Sequence, residues 1–194
     1  MKKRQVNPSP DINELERELG REKQKQKFRK AIRSTVYTLV VTAAVAVLVA
    51  TVLLPVMRIY GNSMTPTLVE GDIVISVKGT KFETGDVVGV YYGSKILVKR
   101  IIAQAGEWVN IDARGNVYVN NKLIDEPYVS ERALGECNIE LPYQVPDNAV
   151  FVMGDHRRTS IDSRNTSVGC IETDDIAGKI IFRVWPFKKT GVIR

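Results

Sequence analysis

Ser63 stands between Gly61 and Pro66 in Tyr60-Gly61-Asn62-Ser63-Met64-Thr65-Pro66-Thr67-Leu68, directly after a long apolar segment. Gly61 opens backbone conformations closed to other residues. Pro66 fixes its own φ and biases Thr65 toward extended geometry, so the hydroxyl sits in a stiff corner that can present a nucleophile. The same residue types also make ordinary turns that carry no chemistry. Lys99 is the second candidate. In Ile96-Leu97-Val98-Lys99-Arg100-Ile101-Ile102 a strand period puts Leu97 and Ile101 on the side of Lys99, and Val98 and Ile102 on the other. Apolar neighbours of that kind lower a lysine pKa toward the range where the neutral amine accepts a proton at working pH. The plainer alternative is a lysine that carries its charge out to the strand edge. Arg100 cannot be neutralised and needs a carboxylate or water. The third candidate group is Gly154-Asp155-His156-Arg157-Arg158-Thr159-Ser160-Ile161-Asp162-Ser163-Arg164, where acids, bases and hydroxyls follow an apolar strand. Such a loop can hydrogen-bond itself and hold neighbouring side chains, although a merely solvated loop is the default for its composition.

The rest of the chain must bring these three segments together. Residues 34 to 57 contain no charged side chain, and as a helix at about 1.5 Å per residue they reach roughly 36 Å, enough to cross a hydrocarbon core. Arg29, Lys30 and Arg33 precede this span and only Arg58 directly follows it, which orients the N-terminus to the cytoplasm. Ala44-Val45-Ala46 resembles a signal-peptide cleavage triplet, but apolar residues continue past it, so an uncleaved anchor is expected. Asp11 and Glu14 at capping-box spacing, with Leu15 and Leu19 four apart, allow a helix over 11 to 33, while Gly20 and the charge density allow an unstructured basic tail equally well. Beyond the span the pattern is of short β-branched strands: 73 to 77, 86 to 92, 96 to 102, 149 to 153 and 178 to 184, with a hairpin turning on Asn120-Asn121. The expected fold is mostly β: a single N-terminal transmembrane helix followed by a compact β-rich domain with a small inserted β lobe. Its parts are a cytoplasmic tail (1 to 33), the span (34 to 57), a β core (58 to 107 and 146 to 194) and the lobe (108 to 145).

Charge argues against a nucleic-acid partner. The formal net charge of +6 lies wholly in residues 1 to 33, with 11 basic and 5 acidic side chains, whereas residues 58 to 194 carry 17 of each. The basic excess therefore sits where anionic lipid headgroups of the bilayer attract it. Cys137 and Cys170 both fall in the part beyond the span, where a disulfide and two separate thiols are both open. Trp185-Pro186-Phe187 reads either as a core-closing edge or as one that faces the membrane.

Taken together, Ser63 to Thr67 (Ser-Met-x-Pro-Thr), Val98 to Ile101 (Val-Lys-Arg-Ile) followed by Gly106-Glu107, and Gly154 to Arg164 (Gly-Asp-x-Arg-x-x-Ser-x-Asp-Ser-Arg) resemble in order and spacing the boxes of type I signal peptidases. The resemblance takes in Gly85-Asp86-Val87-Val88 and runs from the span to near Phe187. It implies a membrane-bound serine endopeptidase that removes signal peptides from exported preproteins, with Ser63 as acylated nucleophile and Lys99 as general base. It further implies Ser160 orienting Lys99, Asp155 paired with Arg100, Asp162 paired with Arg164, and no metal or organic cofactor. Two positions depart from the pattern: His156 stands where most members have Asn, and Gly61 stands where members of the Gram-negative kind have a Ser that helps bind the oxyanion. A Ser-His-Asp hydrolase would have to use His156, the only histidine. Soluble self-cleaving repressors with a Ser-Lys pair lack a counterpart to residues 34 to 57, and a membrane-anchored binding module would leave the Ser/Lys match idle.

Overall fold

The computed structural model describes residues 12–79 and 81–193. Helix α1 (Ile12–Leu53) is one unbroken run of 42 residues, so the basic stretch and the apolar stretch are continuous and Gly20 is interior to the helix. Asp11, the first residue of the expected capping box, lies outside the described residues. By length and composition this helix can cross a membrane. The hydroxyls of Thr35, Thr38 and Thr42 donate to the carbonyls of Ala31, Ser34 and Thr38 at 2.8 to 3.0 Å. Their polar groups are thereby satisfied without water, as an apolar surrounding requires.

The helix stops short of the expected Met57. Pro55 has no N–H to continue the ladder and disfavours helical geometry at Leu54. The chain instead extends into β1 (Val56–Arg58), which pairs antiparallel with β2 (Ile73–Val77), Met57 opposite Val74.

A compact unit runs from Ala50 to the C-terminus. Its other strands are β3 (Val87–Tyr92), β4 (Lys95–Ala103), β5 (Trp108–Ile111), β6 (Val117–Val119), β7 (Lys122–Leu123), β8 (Tyr143–Gln144), β9 (Ala149–Met153), β10 (Ile171–Glu172), β11 (Ile176–Trp185) and β12 (Gly191–Val192). The main sheet has the order β1-β2-β11-β3-β4-β9-β10, with β12 on β11, and β5 to β8 pair only among themselves in the order β7-β6-β5-β8. The β6–β7 turn is made by Asn120 and Asn121 at φ 51° and 63°, the left-handed pair that a tight hairpin of this hand demands and that asparagine tolerates.

Ile102, Ala103 and Phe151 of the main sheet share one apolar cluster with Val109, Ile111 and Val117 of the small sheet. A second cluster gathers Ile59, Met64, Leu68, Val74 and Ile180. At about 1.5 to 3 kcal/mol for each large side chain taken from water, Met64 and Leu68 together fix the segment that carries Ser63. Of the two readings left open for the cysteines, the structure has separate thiols. Cys170 packs under the small sheet, where burial pushes its thiol up to about 11.

Candidate active site

The Ser63 turn is built from its neighbours. Gly61 sits at φ +77°, Thr65 N–H donates to Asn62 O at 3.0 Å, and Leu68 N–H donates to Met64 O at 2.9 Å. Met64 and Leu68 are 2% and 0% exposed, so the turn is plugged into the core on both sides of a serine that stays half-open. The Ser63 carbonyl accepts the N–H of His156 at 3.0 Å. Ser63 lines a small pocket of about 70 Å³ with Ile59 and Met64. That pocket shares Arg58, Tyr60, Gly61 and residues 96 to 98 with a larger cleft of about 670 Å³, reaching Met57 and Lys95.

Lys99 lies in mid-β4, opposite Val88 of β3. Exposure falls along β4 from the open Lys95 end to a buried stretch that starts at Lys99, whose own exposure is 3%. Its Nζ donates to Ser160 Oγ at 3.0 Å. Loss of water holds the amine below the usual lysine range; Asp162 and Asp155 pull it back up, and Arg164 works with burial against the charge. Burial alone would raise the Asp162 carboxyl, but Arg164, the Gly154 N–H and the Ser160 hydroxyl together hold it below the ordinary carboxylate range.

The remaining expected residues meet in the same place. Arg100 grips Asp155 with Nε at 2.9 Å and Nη2 at 2.7 Å, and its Nη1 donates to Gly85 O at 2.7 Å. Arg164 grips Asp162 with Nε and Nη2, both at 2.8 Å, and its Nη2 also reaches the carbonyls of Arg157 and Ser160. Ser160 and Lys99, Arg100 and Asp155, and Arg164 and Asp162 are therefore in direct contact, and Ser63 joins them through its carbonyl. Gly154 is the point of closest approach. A Cβ there would lie 2.3 Å from Ser160 Oγ and 2.5 Å from Ser63 O, so only glycine lets Ser63 and the hydrogen-bond partner of Lys99 converge.

His156 is not placed as a triad base would be. Its ring Nδ1 is 2.7 Å from Thr159 Oγ1, and the neighbouring Asp155 is occupied by Arg100 and by the Thr67 hydroxyl.

Sequence reasoning missed three members of the assembly. Thr67 donates to Asp155 and so ties the Ser63 turn, through Arg100, to β4. Arg157, 1% exposed, forms a buried ion pair with Glu126 and donates from Nε to Gly154 O at 3.1 Å. Thr67 and Arg157 stand inside two of the three motifs, which was a usable signal. Glu126 stands in a turn-rich stretch with no periodicity to mark it.

A family model described as signal peptidase, peptidase S26, matches residues 32–185. The chain is 28% identical over 174 residues to a signal peptidase I of Streptococcus pneumoniae, an alignment covering 70% of this chain and 84% of that protein. It is 38% identical over 141 residues to signal peptidase I S of Bacillus subtilis, covering 66% of this chain and 76% of the relative. A crystal structure of a signal peptidase I from Enterococcus faecalis superposes with a TM-score of 0.42 at 22% identity, covering 52% of this chain and 97% of that one. With a turn-borne serine, a buried lysine and a match that spans the site and most of the chain, this protein belongs to the signal peptidase family, peptidase S26, and is a serine endopeptidase.

Proposed function

We propose that the protein removes N-terminal signal peptides from exported preproteins through an acyl-enzyme, with Ser63 as nucleophile and Lys99 as general base. The observation that carries this reading is the buried Lys99 amine of β4, held below its ordinary pKa and hydrogen-bonded to Ser160, whose loop also grips the Ser63 turn through the His156 N–H. Ser160 gives its own hydroxyl hydrogen to Asp162 and takes one from Lys99, so the lysine lone pair stays free for the Ser63 proton. Ser63 Oγ attacks the scissile carbonyl as Lys99 takes its proton. Lys99 then passes that proton to the leaving amine and activates the water that releases the acyl group. The Ser63 backbone N–H is the first donor to the oxyanion, worth about 3 to 4 kcal/mol by comparison with similar sites. Gly61 supplies no hydroxyl there. Asp155 with Arg100, and Asp162 with Arg164, hold the loop against the catalytic strand.

The substrate enters as an extended chain. β9 pairs with β4 only from Arg100 onward, so residues 95 to 98 keep one backbone edge without a strand partner among the described strands, and that edge lines the cleft. An extended peptide can add to it and place small side chains in the pocket beside Ser63. The apolar part of α1 anchors the enzyme as a single pass, with the basic tail cytoplasmic and the catalytic unit outside, in the four parts the sequence suggests: 1 to 33, 34 to 57 with the helix itself ending at Leu53, the β core over 58 to 107 and 146 to 194, and a lobe over 108 to 145. No cofactor is required.

Processing of a preprotein by the wild type, Ser63→Ala and Lys99→Ala in detergent tests the proposal. Cleavage by the wild type alone is expected. Intact binding of preprotein without cleavage by the wild type would favour an anchored binding module.

A further inference from the structure

The long connection between β7 and β8 does more than close the small sheet. It reaches each of the three buried guanidinium groups behind the site. The Tyr128 ring lies 3.9 Å from the Arg100 guanidinium carbon, the Glu126 carboxylate pairs with Arg157, and the Leu134 carbonyl accepts Arg164 Nη1 at 2.6 Å. Arg157 and Glu126 are 1% and 3% exposed, and both Glu126 oxygens take guanidinium hydrogens. Arg100 has Asp155, Arg164 has Asp162, and Arg157 has Glu126, so the small sheet's connection contributes the third carboxylate of a balanced buried set.

We infer that Glu126 is a positioning residue for the proteolytic site, acting through Arg157 on Gly154. Glu126 fixes the Arg157 guanidinium, whose Nε holds the Gly154 carbonyl. Gly154 is the residue against which Ser63 O and Ser160 Oγ both rest, and Ser160 Oγ holds the Lys99 amine. The path from carboxylate to reactive amine is therefore a continuous series of contacts with no exposed link. The connection also fits closely where it meets the loop: a Cβ on Gly135 would lie 2.4 Å from Arg157 O. A purely architectural ion pair would not need its guanidinium to hold the residue on which the two serines converge.

The inference rests on the Ser63/Lys99 reading, and the test separates the two. Full-length wild type, Ser63→Ala, Glu126→Gln and the double variant Glu126→Leu/Arg157→Met are compared for preprotein cleavage and thermal unfolding. Glu126→Gln is expected to lower kcat about 100-fold with KM changed less than about threefold, because a misplacement near 1 Å at the reacting groups suffices for such a loss. The double variant removes both buried charges and is expected to recover thermal stability, since apolar replacement of a whole buried pair is well tolerated. Its kcat stays low because Gly154 O has lost its donor. Recovery of kcat along with stability in the double variant would overturn the inference and leave the pair a structural prop. A loss expressed in KM alone would also overturn it. Absence of cleavage by the wild type would instead sink the protease reading on which it rests.

Discussion

Replacing Gly154 by alanine puts a methyl group where two functional arms already meet. The new Cβ would stand 2.3 Å from Ser160 Oγ and 2.5 Å from the Ser63 carbonyl oxygen, whereas ordinary contacts begin near 3.4 Å. Each neighbour must retreat by about 1 Å, or Gly154 must move and strain its own bonds to Arg157 Nε and the Asp162 carboxylate. Overpacking of this kind destabilises by about 1 to 3 kcal/mol, a fall in Tm of roughly 5 °C for a chain of this size. The catalytic loss should be larger. A displacement near 1 Å between nucleophile and base lowers kcat about 100-fold, equivalent to about 2.7 kcal/mol in the barrier. The assay is single-turnover cleavage of a preprotein by the folded fraction of Gly154→Ala, with near-UV circular dichroism and thermal unfolding alongside. A folded variant that cleaves within threefold of wild type would refute the claim that Ser63 and the Lys99–Ser160 pair are held together at this glycine.

Other expectations follow from the same geometry. Because Lys99 must be neutral to take the Ser63 proton and its burial lowers its pKa, kcat/KM should rise with pH through a value below the ordinary lysine pKa of 10.5 and level off above it. A rising limb at the ordinary lysine value would show an amine in water. Asp155→Ala strands the Arg100 guanidinium, 1% exposed, and should cost about 3 to 5 kcal/mol, seen as a drop in Tm near 10 °C; a drop under about 2 °C would mean that Tyr128 and Gly85 suffice. Thr67→Val removes the hydroxyl that the Ser63 turn lends to Asp155 and should lower kcat by about tenfold with Tm little changed. An unchanged kcat would show that the turn needs no such tie.

Residue types alone left Ser63, Lys99 and the 154–164 loop each open to a plainer reading, and it was their order and spacing together that singled out the residues the fold brings into contact. Lys99 stood out because a charge in a strand apolar on both faces needs a reason, and the reason was found in Ser160 and the shelter of β4. The Asn120-Asn121 hairpin was legible since its backbone demands positive φ and asparagine tolerates it. The end of α1 was misjudged by four residues: charge absence marks an apolar run, but Pro55 sets where helix geometry can continue. Strands as short as β8, β10 and β12 have too few residues to display alternation, so only their pairing reveals them. Glu126 was beyond reach for a different reason. Its partner is 31 residues away in the chain, and a buried ion pair leaves no periodic trace in either partner's neighbourhood.

Lys99→Met offers the sharpest trial of the amine's role. Methionine fills a similar volume and replaces an amine that is costly to bury with an apolar group, so the variant should fold about as stably as wild type. What it lacks is a proton acceptor. Its single-turnover cleavage of a preprotein should fall by about 100- to 10,000-fold, the range expected when a positioned base is removed. A folded Lys99→Met that still cleaves within a few-fold of the wild-type rate would contradict the assignment of Lys99 as the base.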